Sequence, residues 1–130
     1  MVLVFVHEKL DFFGRREVFC DDVNKIDLSR IGPMFENDPL FPERVNAEFA
    51  EVIGGNRLKM RVWERGSGET RSCGTGACAC AAATILNGYC DKNTDIEILL
   101  PGGELIVNCS DETVFMTGDC VKVFDGTVDI

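Results

Sequence analysis

The sequence predicts an α+β domain in which a curved, mostly antiparallel sheet wraps around one central buried helix. Three observations lead to this fold class. Short apolar runs separated by Gly, Pro, Asp or Ser fill most of the chain, as in strands joined by turns. One stretch of small residues, 75–87, is typical of a helix. The length of 130 residues fits one domain, 1–130, that buries a core of its own.

The amino-terminal third contains apolar runs and one interrupted helical pattern. "MVLVFV" at 1–6 has the composition of a strand, the charged segment "HEKLDFFGRR" at 7–16 predicts a turn, and "EVFC" at 17–20 is a short apolar run. In "KIDLSRIGPMFEND", at 25–38, apolar residues recur at close to the helical period. Because Gly32 and Pro33 lie inside this segment, the sequence favours a short or broken helix.

The remaining strands flank a single strong helix. "RVNAEFAEVI" and "RLKMRVWER" alternate apolar and polar residues on either side of "GGN", which predicts a hairpin of two half-buried strands. "DIEILL", "GELIVN", "TVFMTG" and "VKVF" predict a carboxy-terminal meander. The helix is expected from about Thr75 to Asn87, with Gly88 as its stop. Its Ala, Cys, Ile and Leu residues run nearly all the way round, as in a buried helix.

Composition excludes several classes of partner. The net charge is −9 and no run of Lys or Arg occurs, so we expect neither a nucleic acid nor an anionic membrane as partner. The first apolar run is too short for a signal peptide or a membrane span. Seven cysteines without a secretion signal predict free thiols in a reducing compartment, the cytoplasm. They lack the spacing of a zinc site, and His7 is the one histidine, so no metal is expected.

Cys73 stands just before the first turn of the predicted helix. Unpaired backbone N–H groups and the helix dipole favour negative charge at that point, and therefore a thiolate. The amides of Gly74, Thr75 and Gly76 can hold a carboxylate there. Together these features suit the removal of a proton from a carbon next to a carboxylate. A buried core cysteine beside a plain helix entry explains the same pattern equally well.

Four motifs in order and spacing identify a family. "RVNAEF", "RVWERGSGET", "CGTGACA" and "LPGGEL" closely resemble the carboxy-terminal half of diaminopimelate epimerase, as does "IGPMFENDPLFPERVN" upstream. The likeness runs from about Val18 to the end. Proline racemases and phenazine-biosynthesis-like isomerases are similar in fold. The former resemble this chain only at "CGTG", and the latter do not normally keep the cysteine.

The resemblance implies a role for each matched residue. Cys73 matches one of two catalytic cysteines, which act as acid and base on opposite faces of the α-carbon. Gly74 and Thr75 match residues that bind the α-carboxylate. Asn46, Glu64 and Arg65 match substrate-binding residues, although each could also be an ordinary solvated polar side chain. The family needs neither pyridoxal phosphate nor a metal, so no cofactor is expected.

The chain departs from the family in length. The family has two similar domains with diaminopimelate bound in the cleft between them, and the amino-terminal half with the other cysteine is absent from this chain. One interpretation is a domain of an epimerase that interconverts LL- and meso-diaminopimelate and is inactive alone. The other is a truncated remnant that at most binds a small carboxylate. The missing half or a second copy of the chain is the expected protein partner.

Overall fold

A computed structural model describes residues 15–129 of the chain. The predicted strand at 1–6 and most of the predicted turn at 7–16 therefore lie outside the described residues. The described elements are the strands β1 (Arg15–Phe19), β2 (Asn46–Val52), β3 (Arg57–Glu64), β4 (Gly68–Thr70), β5 (Asp95–Leu100), β6 (Gly103–Cys109) and β7 (Val114–Gly118), the helices α1 (Leu28–Glu36) and α2 (Gly74–Leu86), and a short 3-10 helix at Val23–Lys25.

All seven described strands form one sheet in the order β1-β2-β3-β5-β6-β7, with β4 paired to β3 beside β5. The pairs β1/β2 and β3/β5 are parallel, and the other four are antiparallel. The prediction of a mostly antiparallel sheet is confirmed. The hairpin around Gly54 and Gly55 is confirmed as well, as β2 and β3.

Helix α2 lies against β1, β2, β5, β6 and β7, so the prediction of one central helix with strands around it is confirmed. Most of its residues are buried, and Ala77, Cys80 and Ala81 belong to the larger core cluster. Small side chains let the sheet approach the helix axis closely from several strands.

A second helix, α1, covers the other face of the sheet at β2, β3 and β4, where Val18, Leu28 and Phe49 form a smaller core cluster. As a consequence β2 is buried on both faces. The alternation in its sequence predicted a half-buried strand, but Glu48 is fully buried beneath α2 between Ala47 and Phe49, which face α1.

The sequence predicted a short or broken helix at 25–38, and the structure has a short, unbroken one, α1, of nine residues. Helix α1 runs without interruption through Gly32 and Pro33, although the proline nitrogen cannot donate a helical hydrogen bond. Leu28, Gly32 and Glu36, spaced by four residues, form its buried face. The glycine is required by packing: a Cβ on Gly32 would lie 2.2 Å from the ring of Trp63.

Two further sequence predictions differ from the structure. Arg15 and Arg16 were assigned to the turn at 7–16, yet they open β1 because their backbones pair with Asn46 and Ala47 of β2. "VKVF" at 121–124 forms no strand; Val123 is 88% exposed. An alternating pattern makes a strand only where a neighbouring strand offers backbone partners, and β7, the edge of the described sheet, pairs with β6 alone.

No helix within residues 15–129 has both the length and the apolar character needed to cross a membrane.

Candidate functional site

The six predicted site residues lie at one end of the sheet. Asn46 opens β2 and is the register partner of Arg15, and Glu64 closes the antiparallel strand β3, with Arg65 directly after it. Cys73, Gly74 and Thr75 form the amino-terminal end of α2, which is tied to the same end of the sheet through Arg15.

Cys73 is the residue that precedes the first turn of α2. Its backbone is extended, with φ −143° and ψ 103°, and its side chain makes no capping hydrogen bond. The first helical bond runs from the N–H of Ala77 to the carbonyl of Cys73, at 2.9 Å. The amides of Gly74, Thr75 and Gly76 come before that bond, so helix geometry gives them no acceptor within α2. These three N–H groups are therefore arranged as in an anion-binding site, with the thiol of Cys73 beside them.

The thiol of Cys73 contacts a guanidinium group. Arg15 Nη1 lies 3.3 Å from Sγ, and Arg15 Nη2 donates to Thr75 Oγ1 at 2.5 Å. Cys73 is only 8% exposed, as the interpretation of a buried core cysteine requires. A packing cysteine, however, needs no cation, whereas a positive charge at hydrogen-bond distance stabilises a thiolate.

Beneath the helix entry lies a buried carboxylate, Glu48. Its Oε1 accepts from Arg15 Nη1 at 2.6 Å, and a Cβ on Gly76 would lie 2.6 Å from the same oxygen. Gly76 is therefore required by Glu48. Gly74 is likewise packed, because a Cβ there would lie 3.0 Å from Cε of Met116. The sequence predicted a carboxylate at the amides of these glycines; the structure shows in addition that protein side chains pack against their α-carbons.

Burial raises the pKa of Glu48 to about 7, and the nearby charges of Glu17 and Glu64 add to the rise, whereas Arg15 opposes it. The effect of Glu64 shows that its carboxylate lies within electrostatic range of this cluster.

The other three predicted residues bond to one another or to neighbouring segments of the chain. Asn46 Oδ1 accepts from the backbone N–H of Arg65 at 2.8 Å, and Arg65 Nη1 donates to the carbonyl of Glu43 at 2.9 Å. Glu64 Oε1 accepts from the hydroxyl of Thr70. Asn46 and Glu64 are half-buried and Arg65 is exposed.

The turn that carries Arg65 is fixed from α1. The two oxygens of Glu36 accept from the indole N–H of Trp63 at 2.7 Å and from the backbone N–H of Gly66 at 3.0 Å. Arg44 pairs with the same carboxylate at 2.9 Å. These bonds lower the pKa of Glu36, chiefly through Trp63.

Sequence reasoning missed Arg15 and Glu48. Arg15 was assigned to a turn, and Glu48 to the solvent side of a strand. The sequence offered one signal for this pair, a glutamate inside an otherwise apolar strand. If both faces of that strand are covered, the carboxylate is buried and needs a cation as its partner.

The remaining cysteines lie in different surroundings. Burial raises the pKa of Cys20 to about 11, raises that of Cys80 strongly, and raises the pKa values of Cys78, Cys90 and Cys109. All seven cysteines of the chain are free thiols. Within residues 15–129, no three His, Cys, Asp or Glu side chains are grouped as they would be around a metal ion.

The raised pKa of Glu48 predicts how stability depends on pH. Between about pH 4.5 and 7 the folded chain keeps a proton that the unfolded chain has released. The free energy of unfolding should therefore fall as the pH rises through this window, by about 2 kcal/mol between pH 5 and 7.5. Urea unfolding at the two pH values measures the change, and Glu48→Gln should remove it. The exposed Glu43→Gln is the matched control; an equal pH dependence in wild type and Glu48→Gln would contradict the prediction.

Comparisons with known proteins agree with the motifs. The sequence profile of the family described as "Diaminopimelate epimerase" matches residues 14–123. The diaminopimelate epimerase of Desulfovibrio desulfuricans is 52% identical over 111 residues, which cover 84% of this chain and 38% of that protein. The diaminopimelate epimerase of Bacillus licheniformis is 51% identical over an alignment 136 residues long, which covers 93% of this chain and 47% of that protein. The chain thus spans less than half the length of these relatives.

Solved structures agree in fold at low identity. A phenazine biosynthesis protein of the PhzF family from Enterococcus faecalis matches with a TM-score of 0.57 and 14% identity, over 77% of this chain and 35% of that chain. A predicted epimerase from Pseudomonas aeruginosa matches with a TM-score of 0.53, also at 14% identity, over 82% of this chain and 37% of that chain. The expected likeness in fold to the phenazine-biosynthesis group is confirmed. With a profile match over most of its length and relatives at half identity, the chain belongs to the diaminopimelate epimerase family.

Proposed function

We propose that this chain supplies one of the two acid/base cysteines, Cys73, of a cofactor-independent epimerase that interconverts LL- and meso-diaminopimelate. The observation that carries the proposal is the position of Cys73: its sulfur lies at the entry of α2, 3.3 Å from a guanidinium nitrogen, beside backbone amides suited to a carboxylate. Family membership supplies the substrate class.

The reaction needs two groups on opposite faces of the α-carbon. In one direction the thiolate of Cys73 takes the α-proton and becomes a thiol, and the electron pair stays on carbon. A second cysteine thiol then gives its proton to the other face and becomes a thiolate. The α-proton is very weakly acidic, so the carboxylate must be held by fixed dipoles while charge develops. The amides of Gly74 and Thr75 are proposed for that task, and Asn46, Glu64 and Arg65 for binding the rest of the substrate. Neither pyridoxal phosphate nor a metal takes part.

The second cysteine is proposed to come from an amino-terminal half like that of the relatives. All five residues of β7 are exposed, and Phe115 is 66% exposed. Met116, from the same strand, packs against Gly74. An exposed apolar strand beside the helix entry supports a protein partner there, either that half or a second copy of the chain. The free thiols support a reducing compartment, the cytoplasm.

Deuterium exchange at the α-carbon of diaminopimelate tests the proposal. The chain alone should show no exchange above background. Exchange should appear when a separately produced amino-terminal half of the Bacillus licheniformis relative forms a complex with it. Robust exchange by the chain alone would instead indicate a working homodimer. A complex that forms and stays inactive would favour the non-catalytic remnant.

A further inference from the structure

We propose that Arg15 and Glu48 are positioning residues for Cys73: Glu48 fixes the guanidinium of Arg15, and Arg15 in turn holds the thiolate of Cys73 and the hydroxyl of Thr75. This inference rests on the proposed function, in which Cys73 exchanges a proton with the substrate.

The contacts of the guanidinium support this role. Arg15 Nη1 donates to Glu48 and to Cys73, and Nη2 donates to Thr75, so one planar group joins β1, β2 and the entry of α2. A fork of fixed geometry can hold three partners at once, which the single ammonium of lysine cannot do with the same precision. The side chain of Arg15 is only 10% exposed, so solvent competes little for these bonds.

Glu48 is the anchor of the arrangement. It lies on β2 beneath Gly76 and is completely buried. One carboxylate oxygen binds Arg15, and the other has no hydrogen-bond partner among residues 15–129. A buried ion pair of this kind adds little to stability compared with apolar residues of the same volume, so its presence is better explained by the orientation that it imposes.

The surroundings of Glu48 show why the arginine is needed. Glu17 from β1 and Glu64 from β3 bring further negative charge, and the thiol of Cys80 on α2 lies within electrostatic range of Glu48. Among residues 15–129, Arg15 forms the salt bridge with this carboxylate. Without it a thiolate at Cys73 would face the carboxylate with no compensating charge.

Alkylation of Cys73 measures this arrangement without any need for epimerase activity. Iodoacetamide reaction rates would be followed by peptide mapping between pH 5.5 and 9.5, on variants whose folding is first checked by circular dichroism. In the wild type Cys73 should react faster than Cys78, Cys80 and Cys109. Arg15→Gln should slow Cys73 at pH 7 by about tenfold and move the midpoint of its pH profile upward. Arg15→Lys keeps the positive charge but not the planar guanidinium. Its rate of Cys73 alkylation should lie between those of the wild type and of Arg15→Gln.

Arg16→Gln is the matched control. Arg16 is the next residue of β1, is equally buried, and contacts Asp38 and the rings of Phe35 and Phe41 instead. Arg16→Gln removes the same charge on the other face of the sheet, so the pH dependence of Cys73 alkylation should stay as in the wild type. Glu48→Ala should slow Cys73 as Arg15→Gln does. Glu48→Gln keeps an acceptor oxygen, so its rate of Cys73 alkylation should lie between those of the wild type and of Glu48→Ala. If the alanine variant fails to fold, the glutamine variant alone tests the role of Glu48.

An unchanged pH profile in Arg15→Gln, or an equal effect of Arg16→Gln, would overturn the inference. The proposed function is judged separately by deuterium exchange. Slower alkylation of Arg15→Gln together with an inactive two-part complex would leave the positioning role intact and reject the epimerase proposal. Exchange by the two-part complex that is unaffected by Arg15→Gln would support the epimerase proposal and reject the positioning role.

Discussion

Cys73→Ser should lower α-proton exchange by the two-part complex about a thousandfold. A serine hydroxyl is a far weaker acid than a thiol, so it cannot supply the anionic base that the first step needs, although it fills nearly the same space. The carboxylate site at Gly74 and Thr75 would remain, and substrate binding should therefore change much less than the rate.

Cys78→Ser is the matched control for this experiment. Cys78 lies on the same helix and is half-buried, and its pKa is raised by burial. That variant should retain most of the activity. If Cys73→Ser exchanged at the wild-type rate, or if both serine variants lost activity equally, Cys73 would have no specific part in proton transfer.

Gly32→Ala should destabilise the chain strongly, with about 3 kcal/mol of unfolding free energy lost. The new Cβ would fall 2.2 Å from the ring of Trp63, and both groups sit between α1 and β3. The indole is held in place by its bond to Glu36, so it cannot move aside without losing that bond. Urea unfolding followed by circular dichroism gives the free energy.

The same substitution in a Trp63→Leu background tests the cause. With the ring gone, alanine should be neutral or stabilising there, because it is a better helix former than glycine by about 1 kcal/mol. Met34→Ala, on the exposed side of the same helix, should change stability little. Equal losses from Gly32→Ala with and without the indole would show that the clash is not the reason for the glycine.

Much of the fold could be predicted from local patterns. The helix α2 was predicted from its alanines and from Gly88 as its stop, and the β2–β3 hairpin from alternation on either side of a glycine turn. Cys73 could be placed at the helix entry for the same reason, since that position depends only on where α2 begins. Family motifs pointed to Asn46, Glu64 and Arg65, whose roles remain predictions.

What could not be predicted depends on contacts between distant parts of the chain. Arg15 and Cys73 are 58 residues apart and meet only because β1 pairs with β2 under the entry of α2. Glu48 is buried because α2 covers the face of β2 that α1 leaves open, a contact between segments that are far apart in the sequence. In the same way, the reason for Gly32 lies in Trp63, on a strand that follows it by more than twenty residues.

The exposed strand β7 has a consequence for the behaviour of the protein in concentrated solution. Its sequence, "VFMTG", carries no charge, and as the last strand of the described sheet it presents one edge that β6 does not cover. Such an edge is a template on which another chain can add a strand. The net charge of −9 opposes that encounter and so supplies colloidal stability that the edge itself lacks. Repulsion between exposed charges reaches about 10 Å at 0.1 M ionic strength but only about 3 Å at 1 M, so this protection weakens as salt is added.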